Sequence, residues 1–131
     1  MARVVFTDPA VRDLESLDGS VLGLVLKKIL RLESEPAAGY PLGSRAGTNL
    51  TGYRKVVVGN RDWRIIYRTE DDDTVVVVWV IAARTDDECY AEAAKRISDS
   101  DQVKKLEMLD VIEQLRGSKA RKVERIFFPE R

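Results

Sequence analysis

The stretch that decides the fold runs from Leu50 to Arg68 and reads Leu-Thr-Gly-Tyr-Arg-Lys-Val-Val-Val-Gly-Asn-Arg-Asp-Trp-Arg-Ile-Ile-Tyr-Arg. Two runs rich in β-branched and aromatic residues flank a Gly-Asn-Arg-Asp break, which predicts a β-hairpin with strands over 53–58 and 63–69. Between Arg45 and Arg68 there are six basic residues and one acidic residue, whereas the 22 basic and 22 acidic residues of the whole chain cancel. A positive hairpin on a neutral protein predicts a site for an anion.

The composition excludes several kinds of site. The 131 residues are 44 % hydrophobic and 34 % charged, which is typical of one folded domain with a strongly charged surface. The absence of histidine and the presence of a single cysteine, Cys89, exclude zinc sites and nucleophilic machinery of the Ser/His or Cys/His type. We therefore expect no metal and no cofactor.

Hydropathy predicts a cytoplasmic protein that does not enter a membrane. The longest apolar run, 75–83, has nine residues and is too short to cross a bilayer as a helix. The first residues lack the basic start and continuous apolar stretch of a secretory signal.

The segments on either side of the hairpin predict an α+β fold. An N-terminal strand over Arg3–Thr7 precedes a helical hairpin, whose first helix begins at Asp8-Pro9 and whose second ends before Pro36. The glycine-rich segment 37–51 is predicted to be a loop. The valine-rich run 74–83 has the composition of an interior strand. Together these segments predict a sheet of about four strands, in which the last three form an antiparallel meander, with helices packed on it.

Two further helical segments are predicted after the sheet. One covers about 87–97, and the other carries an apolar stripe of Val103, Leu106, Leu109, Ile112 and Leu115 before Gly117 closes it. We divide the chain into a domain over 1–98 and a C-terminal helical extension with a tail over 99–131. The stripe needs an apolar cover, which is the protein's own sheet, a second copy of the chain, or a partner helix.

Three side chains capable of chemistry are predicted to converge at one end of the sheet. Arg64 lies on the second hairpin strand, Arg84 follows the interior strand, and Tyr90 lies near the start of the next helix. Gathered positive charge is costly unless an anion joins it, so the arrangement favours a phosphate site. The alternative is that each arginine is a solvated strand-end residue with an acidic neighbour such as Asp62 or Asp86. For Tyr90 the alternative is packing against the sheet.

The chain resembles the RelE/ParE toxin superfamily of bacterial type II toxin-antitoxin systems. The resemblance rests on the order of strand, two helices and three strands, and on three strings read in sequence. These are Leu-Thr-Gly-Tyr-Arg, Asp-Trp-Arg-Ile-Ile-Tyr-Arg and Ala-Arg-Thr-Asp-Asp-Glu-Cys-Tyr-Ala-Glu-Ala. It covers about residues 3 to 97.

The resemblance implies that the chain is a toxin that cleaves messenger RNA on the ribosome. In this correspondence Arg64 matches the arginine that holds the phosphate, Arg84 the arginine near the leaving group, and Tyr90 the tyrosine of the terminal helix. Arg54 occupies the position of the first of two lysines on the preceding strand. Val56 occupies the second position, which is a departure from the family pattern. Other RNA-binding residues are expected at Arg45, Lys55, Arg61 and Arg68.

The resemblance leaves two other functions open. ParE-like members share the scaffold, generally lack the catalytic set and poison DNA gyrase without being enzymes. A degenerate relative would retain only antitoxin or RNA binding. In each case the implied partner is a cognate antitoxin, with a homodimer or a toxin-antitoxin hetero-oligomer as the assembled form.

Overall fold

The computed structural model describes residues 1–45, 47–60, 62–83, 85–99 and 104–115. Its strands are β1 (Arg3–Thr7), β2 (Tyr40–Arg45), β3 (Thr48–Val58), β4 (Trp63–Glu70), β5 (Val75–Ala82) and β6 (Lys105–Glu107). Its helices are α1 (Asp8–Glu15), α2 (Gly19–Ser34) and α3 (Asp86–Ser98), and residues 108–115 are also helical. The predicted α+β class is confirmed.

In the described ranges the strands form one six-stranded sheet in the order β2-β3-β4-β5-β1-β6. The pairs β3–β4 and β4–β5 are antiparallel, so the predicted meander is present. Strand β1 pairs with β5 in parallel, which makes β5 an interior strand buried along nearly its whole length. The continuous valine run reflects this position, because an interior strand is covered on both faces.

The helices cover both faces of the sheet. The apolar side chains of α1 and α2 pack with one another and with Phe6, Ile65 and Tyr67 in one core, as the predicted helical hairpin requires. Helix α3 packs on the opposite face, where Cys89, Tyr90 and Ala93 join a second core. Cys89 is fully buried.

The helix starts follow their capping residues. Thr7, not Asp8, caps α1, since its hydroxyl accepts a hydrogen bond from the Ala10 amide at 3.3 Å. Thr85 and Glu88 form a complete capping box at α3, which fixes the start of this helix one residue before the predicted position. These caps determine where the side chains of the first turn of α3 lie.

The prediction of a loop over 37–51 is wrong. This segment contains β2 and the start of β3, which pair with each other around a bulge between Pro41 and Gly43. Gly43 and Gly47 adopt φ values of 61° and 76°, a backbone conformation that glycine reaches without strain. The glycines therefore shape a paired ribbon, and with β6 they bring the sheet to six strands within the described residues.

The segment that carries the apolar stripe from Val103 to Leu115 differs from the predicted helix. Leu106 lies in β6, which pairs antiparallel with β1, and the helix begins only at 108. Ile112 and Leu115 are buried in the core beneath α1 and α2, whereas Leu109 is 74 % exposed. Apart from Leu109, the described residues of the apolar stripe are thus covered by the protein's own core. Val103 and residues 116–131 lie outside the described residues, and the division at 98 stays a prediction.

Candidate anion site on the α3 face of the sheet

The register of β3 and β4 decides which basic residues lie together. Val57 pairs with Arg64, and Lys55 pairs with Ile66. Directly paired residues point to the same face of a sheet, and neighbours in one strand point to opposite faces. Lys55 and Arg64 therefore share the face covered by α3.

Asp86, the first residue of α3, joins these two cations. Its Oδ1 atom accepts a hydrogen bond from Arg64 Nε at 2.7 Å and lies 3.2 Å from Lys55 Nζ. The side chains of Lys55 and Arg64 are only 16 % and 18 % exposed, whereas that of Asp86 is 43 % exposed. Two largely shielded cations thus meet at one oxygen atom near the surface.

The pKa values of this cluster shift in opposite directions. Burial by itself raises the pKa of Asp86, but hydrogen bonds from Arg64 and Lys55 outweigh it and hold the pKa below its ordinary value of 3.8. Burial lowers the pKa of Lys55, but hydrogen bonds to Tyr90 and Asp86 raise it above 10.5. Asp86 and Lys55 are therefore both charged at neutral pH.

Two tyrosine rings flank the lysine. Lys55 Nζ lies 5.7 Å from the ring centroid of Tyr90 and 6.0 Å from that of Tyr40, within cation–π distance. Tyr90 is 5 % exposed and packs in the core under α3, as the packing alternative predicted, while its polar end reaches Lys55. Tyr40 is 63 % exposed. The site thus has one buried phenol and one aromatic ring open to solvent.

Arg54 does not lie beside Arg64, although the family correspondence assigns both residues to the catalytic set. Arg54 pairs with Tyr67, so its side chain lies on the opposite face of the sheet from Arg64. There Arg54 Nη1 donates hydrogen bonds to the carbonyl oxygens of Gly39 at 2.9 Å and Ala37 at 3.3 Å. The contacts of Arg54 are those of a residue that fastens the chain between α2 and β2.

The same register decides which β3 residues share a face with Arg64. Lys55, the strand neighbour of Arg54, lies on the face of Arg64. The β3 residue that shares this face and lies directly opposite Arg64 is Val57, not Val56. Period-two alternation sorts the residues of one strand by face, but the sequence does not show which residues of two strands pair.

The remaining predicted site residues have different outcomes. Arg68 is exposed, and its guanidinium lies 5.5 Å from the ring centroid of Tyr53, near the opposite end of the hairpin. Arg61 and Arg84 lie outside the described residues, as does the side chain of Arg45. The convergence of Arg84 with Arg64 stays a prediction. Arg64 has the acidic neighbour of the alternative, Asp86, but its side chain is only 18 % exposed and is therefore not the solvated residue that the alternative described.

Tyr40 and Asp86 lie at the site but were not among the site residues predicted from the sequence. Tyr40 lies in the segment predicted to be a loop, and only its pairing with Lys55 brings it to the site. Asp86 was considered only as a neutralising neighbour. A signal was available for Asp86, since an acid at the first turn of a helix after an interior strand lies at the end of the sheet.

Two other kinds of site are absent from the described ranges. No group of three or more His, Cys, Asp or Glu residues there could hold a metal ion. No helix in these ranges is both long and apolar enough to cross a membrane.

The sheet carries helices on both faces and a cationic site beside α3, which is the arrangement of a small α+β protein. The family model for the ParE toxin of type II toxin-antitoxin systems, parDE, matches residues 4–87. The chain therefore belongs to this family, within the RelE/ParE superfamily, and is a toxin of the type II toxin-antitoxin class. No match was found among curated proteins.

Solved structures agree with this family assignment. A chain of the toxin-antitoxin complex RelBE2 from Mycobacterium tuberculosis is 32 % identical, with a TM-score of 0.54, and the match covers 63 % of this chain and 98 % of that one. A mutant of the Escherichia coli toxin RelE in the free state is 24 % identical, with a TM-score of 0.59 and coverage of 74 % and 99 %. The isolated Escherichia coli RelE toxin is 23 % identical, with a TM-score of 0.54 and coverage of 74 % and 99 %. The last two show likeness of fold.

Proposed function

We propose that this toxin is a ribosome-dependent endonuclease that cleaves messenger RNA. The observation that carries the proposal is the meeting of Lys55 and Arg64 at one carboxylate oxygen, at 3.2 and 2.7 Å. Two cations that hold one oxygen of Asp86 have the spacing needed to hold one oxygen of a phosphodiester. Tyr90 adds a phenol beside them.

The reaction proposed is attack of a ribose 2′-hydroxyl on the adjacent phosphorus. The 2′-oxygen forms a bond to phosphorus, the bond to the 5′-oxygen breaks, and the 2′-hydroxyl proton is lost while the leaving oxygen gains one. The products are a 2′,3′-cyclic phosphate and a free 5′-hydroxyl. DNA lacks the 2′-hydroxyl, so only RNA is a substrate.

The residues described divide the work between charge stabilisation and positioning. Lys55 and Arg64 stabilise the negative charge that grows on the phosphate oxygens, and a well-placed donor of this kind contributes about 3 kcal/mol. The exposed ring of Tyr40 offers a stacking surface for a nucleobase. Arg84 is proposed to neutralise the leaving oxygen, as the family correspondence implies.

The proposed regulator is a cognate antitoxin. The 32 % identical chain comes from a toxin-antitoxin complex, and a further solved structure is the intact Escherichia coli RelBE toxin-antitoxin complex. A hetero-oligomer with an antitoxin is accordingly proposed for this chain, and messenger RNA on ribosomes as its target makes the cytoplasm its place of action.

Inhibition of DNA gyrase is the second candidate function. The matching family model is that of ParE, and Val57 leaves the face of Arg64 with one β3 lysine, Lys55, instead of two. A toxin of this kind would bind its target without cleaving RNA. A degenerate relative with antitoxin or RNA binding alone is the third.

Induced expression followed by primer extension on cellular transcripts separates these functions. The wild type should give cuts in phase with codons, and Arg64→Met and Lys55→Met should abolish them. Arg12→Met is the matched control, because it removes one positive charge from an exposed position on α1, on the opposite face. Intact transcripts together with inhibition of gyrase supercoiling in vitro would support the second function. The same assay on Arg84→Ala tests the residue outside the described ranges.

A further inference from the structure

The anion site of the free protein is already filled by the protein's own carboxylate. Asp86 Oδ1 is the atom on which Arg64 and Lys55 converge, so an entering oxyanion requires the same positions around the two cations. Both cannot occupy it, because two negative oxygens at that distance from each other repel strongly.

The position of Asp86 in the first turn of α3 explains why this acid, and not its neighbours, contacts Lys55 and Arg64. Thr85 and Glu88 bond to each other in the capping box and hold the first turn of α3 in place. Asp87, the next residue, is exposed, and the structure shows no ion pair for it among the described residues. Of the three acids in this turn, Asp86 is the one that reaches the cations.

The unequal exposure of the three side chains favours an ion pair in which another anion can replace the Asp86 carboxylate. Lys55 and Arg64 are held in the sheet and largely shielded, whereas Asp86 is 43 % exposed. The carboxylate can therefore turn into water without moving the backbone of α3, while the two cations stay in place. Exchange of Asp86 for another anion keeps Lys55 and Arg64 paired, so neither shielded cation is left without a counter-charge.

We propose that Asp86 is an internal competitor for the phosphate of RNA, which occupies the anion site in the free toxin and is released when a phosphodiester enters. The inference rests on the proposed function. It makes Asp86 a residue that sets the binding threshold, so that RNA presented in a favourable conformation displaces the carboxylate and weakly held RNA does not.

Binding of a non-cleavable RNA tests the proposal. The probe is a fluorescein-labelled single-stranded RNA tetranucleotide, 2′-O-methylated at every position, measured by fluorescence anisotropy at fixed low salt. Asp86→Asn should bind it roughly ten-fold more tightly than the wild type, since one opposing charge is removed from the site. Asp87→Asn is the matched control. It makes the same change in net charge in the same helical turn, and its dissociation constant should stay within two-fold of the wild type.

Three results would overturn the proposal. Equal tightening by both variants would show a general effect of charge at the start of α3. Weaker binding by Asp86→Asn would show that the carboxylate positions Lys55 and Arg64. Absence of RNA binding by every variant, with no cleavage in cells, would remove the proposed function as well, whereas cleavage by the wild type without tightening in Asp86→Asn would remove only this inference.

A measurement on the wild-type protein covers the case in which Asp86→Asn does not fold. The carboxyl carbon resonance of Asp86 is followed by NMR while the same tetranucleotide is added. Its shift toward the position of an unpaired aspartate, together with movement of the Arg64 Nε–H signal, supports release. A bound complex in which the Asp86 resonance does not move contradicts it.

Discussion

Arg96 of α3 and Asp13 of α1 form a two-point ion pair, with Arg96 Nη1 and Nη2 at 2.8 and 3.1 Å from the two carboxylate oxygens. The two side chains of the pair also bond to backbone groups at the end of β5. The last residue of β5 that pairs with β1 is Val78. Beyond it, Asp13 accepts a hydrogen bond from the Ile81 amide and Arg96 donates one to the Trp79 carbonyl, each at 2.9 Å.

Removal of the arginine should therefore lower stability measurably. Arg96→Met leaves Asp13 partly buried without its cation and leaves the Trp79 carbonyl without its donor. We expect the free energy of unfolding to fall by about 2 kcal/mol. Urea denaturation monitored by tryptophan fluorescence provides the measurement. Lys95→Met, at the exposed neighbouring position, should change it by less than about 0.5 kcal/mol, and equal losses would show that the network is unimportant.

A second prediction concerns the connection between α2 and β2. The Tyr67 hydroxyl accepts a hydrogen bond from the Gly39 amide and donates one to the Pro36 carbonyl, both at 2.8 Å. Tyr67→Phe should cost about 1–3 kcal/mol of stability, because both backbone groups lose their partner. Gly39→Ala should also destabilise, since its Cβ would lie 2.6 Å from the Tyr67 oxygen.

The two changes act on one contact, so their effects should not add. The double variant removes the methyl group's contact with the hydroxyl at 2.6 Å and keeps its contact with the ring carbon Cε1 at 2.7 Å, so its loss of stability should be smaller than the sum of the single losses. Strict additivity in urea denaturation would show that Gly39 and Tyr67 act independently.

A third prediction uses the corrected register, and it depends on the proposed endonuclease activity. Val57→Lys places a second lysine on the face of Arg64, whereas Val56→Lys places the same charge on the opposite face. Val57→Lys should raise the cleavage rate, by roughly ten-fold if the new amine reaches the phosphate. Single-turnover cleavage on programmed ribosomes measures it. A gain in Val56→Lys alone would contradict the assignment of faces.

A fourth prediction tests the exposed aromatic ring. Tyr40→Ala removes the stacking surface beside Lys55 and should weaken binding of the 2′-O-methylated tetranucleotide by about 1–3 kcal/mol. Tyr40→Phe retains the ring and should bind like the wild type. If both variants lose the same affinity, the hydroxyl and not the ring makes the contact.

A fifth prediction follows from the lowered pKa of Asp86. Folding favours the charged carboxylate, because Arg64 and Lys55 contact it while Tyr90 and Tyr40 only flank Lys55. Its stabilising contribution is therefore fully present above the ordinary pKa of 3.8 and is lost as the pH falls through the lower folded value. The stability difference between wild type and Asp86→Asn should be constant from about pH 7 to 5 and should shrink below 3.8. A difference independent of pH throughout urea titrations would refute the ion pair.

Most of the helices and strands that depend on interactions between residues close in sequence were predicted from local sequence patterns. The strand at Arg3–Thr7, the helix α2, the β3–β4 hairpin and the interior strand β5 follow from hydrophobic periodicity and turn residues, and the capping residues give the helix starts to within one position. Strands β2 and β6 were missed. β2 contains a bulge and glycines, and β6 has three residues, so neither shows a period, and both exist because a neighbouring strand pairs with them.

The sequence by itself determined the α+β class, the resemblance to the toxin superfamily and the basic character of the hairpin. It also determined that Lys55 and Arg54 point to opposite faces, because this depends only on their being neighbours in one strand. Only the tertiary structure decided which of them lies beside Arg64, since that depends on the register between β3 and β4. It also brought Asp86 and Tyr40 to the same site, because contacts between residues distant in sequence arise from the packing of α3 and β2 against the sheet.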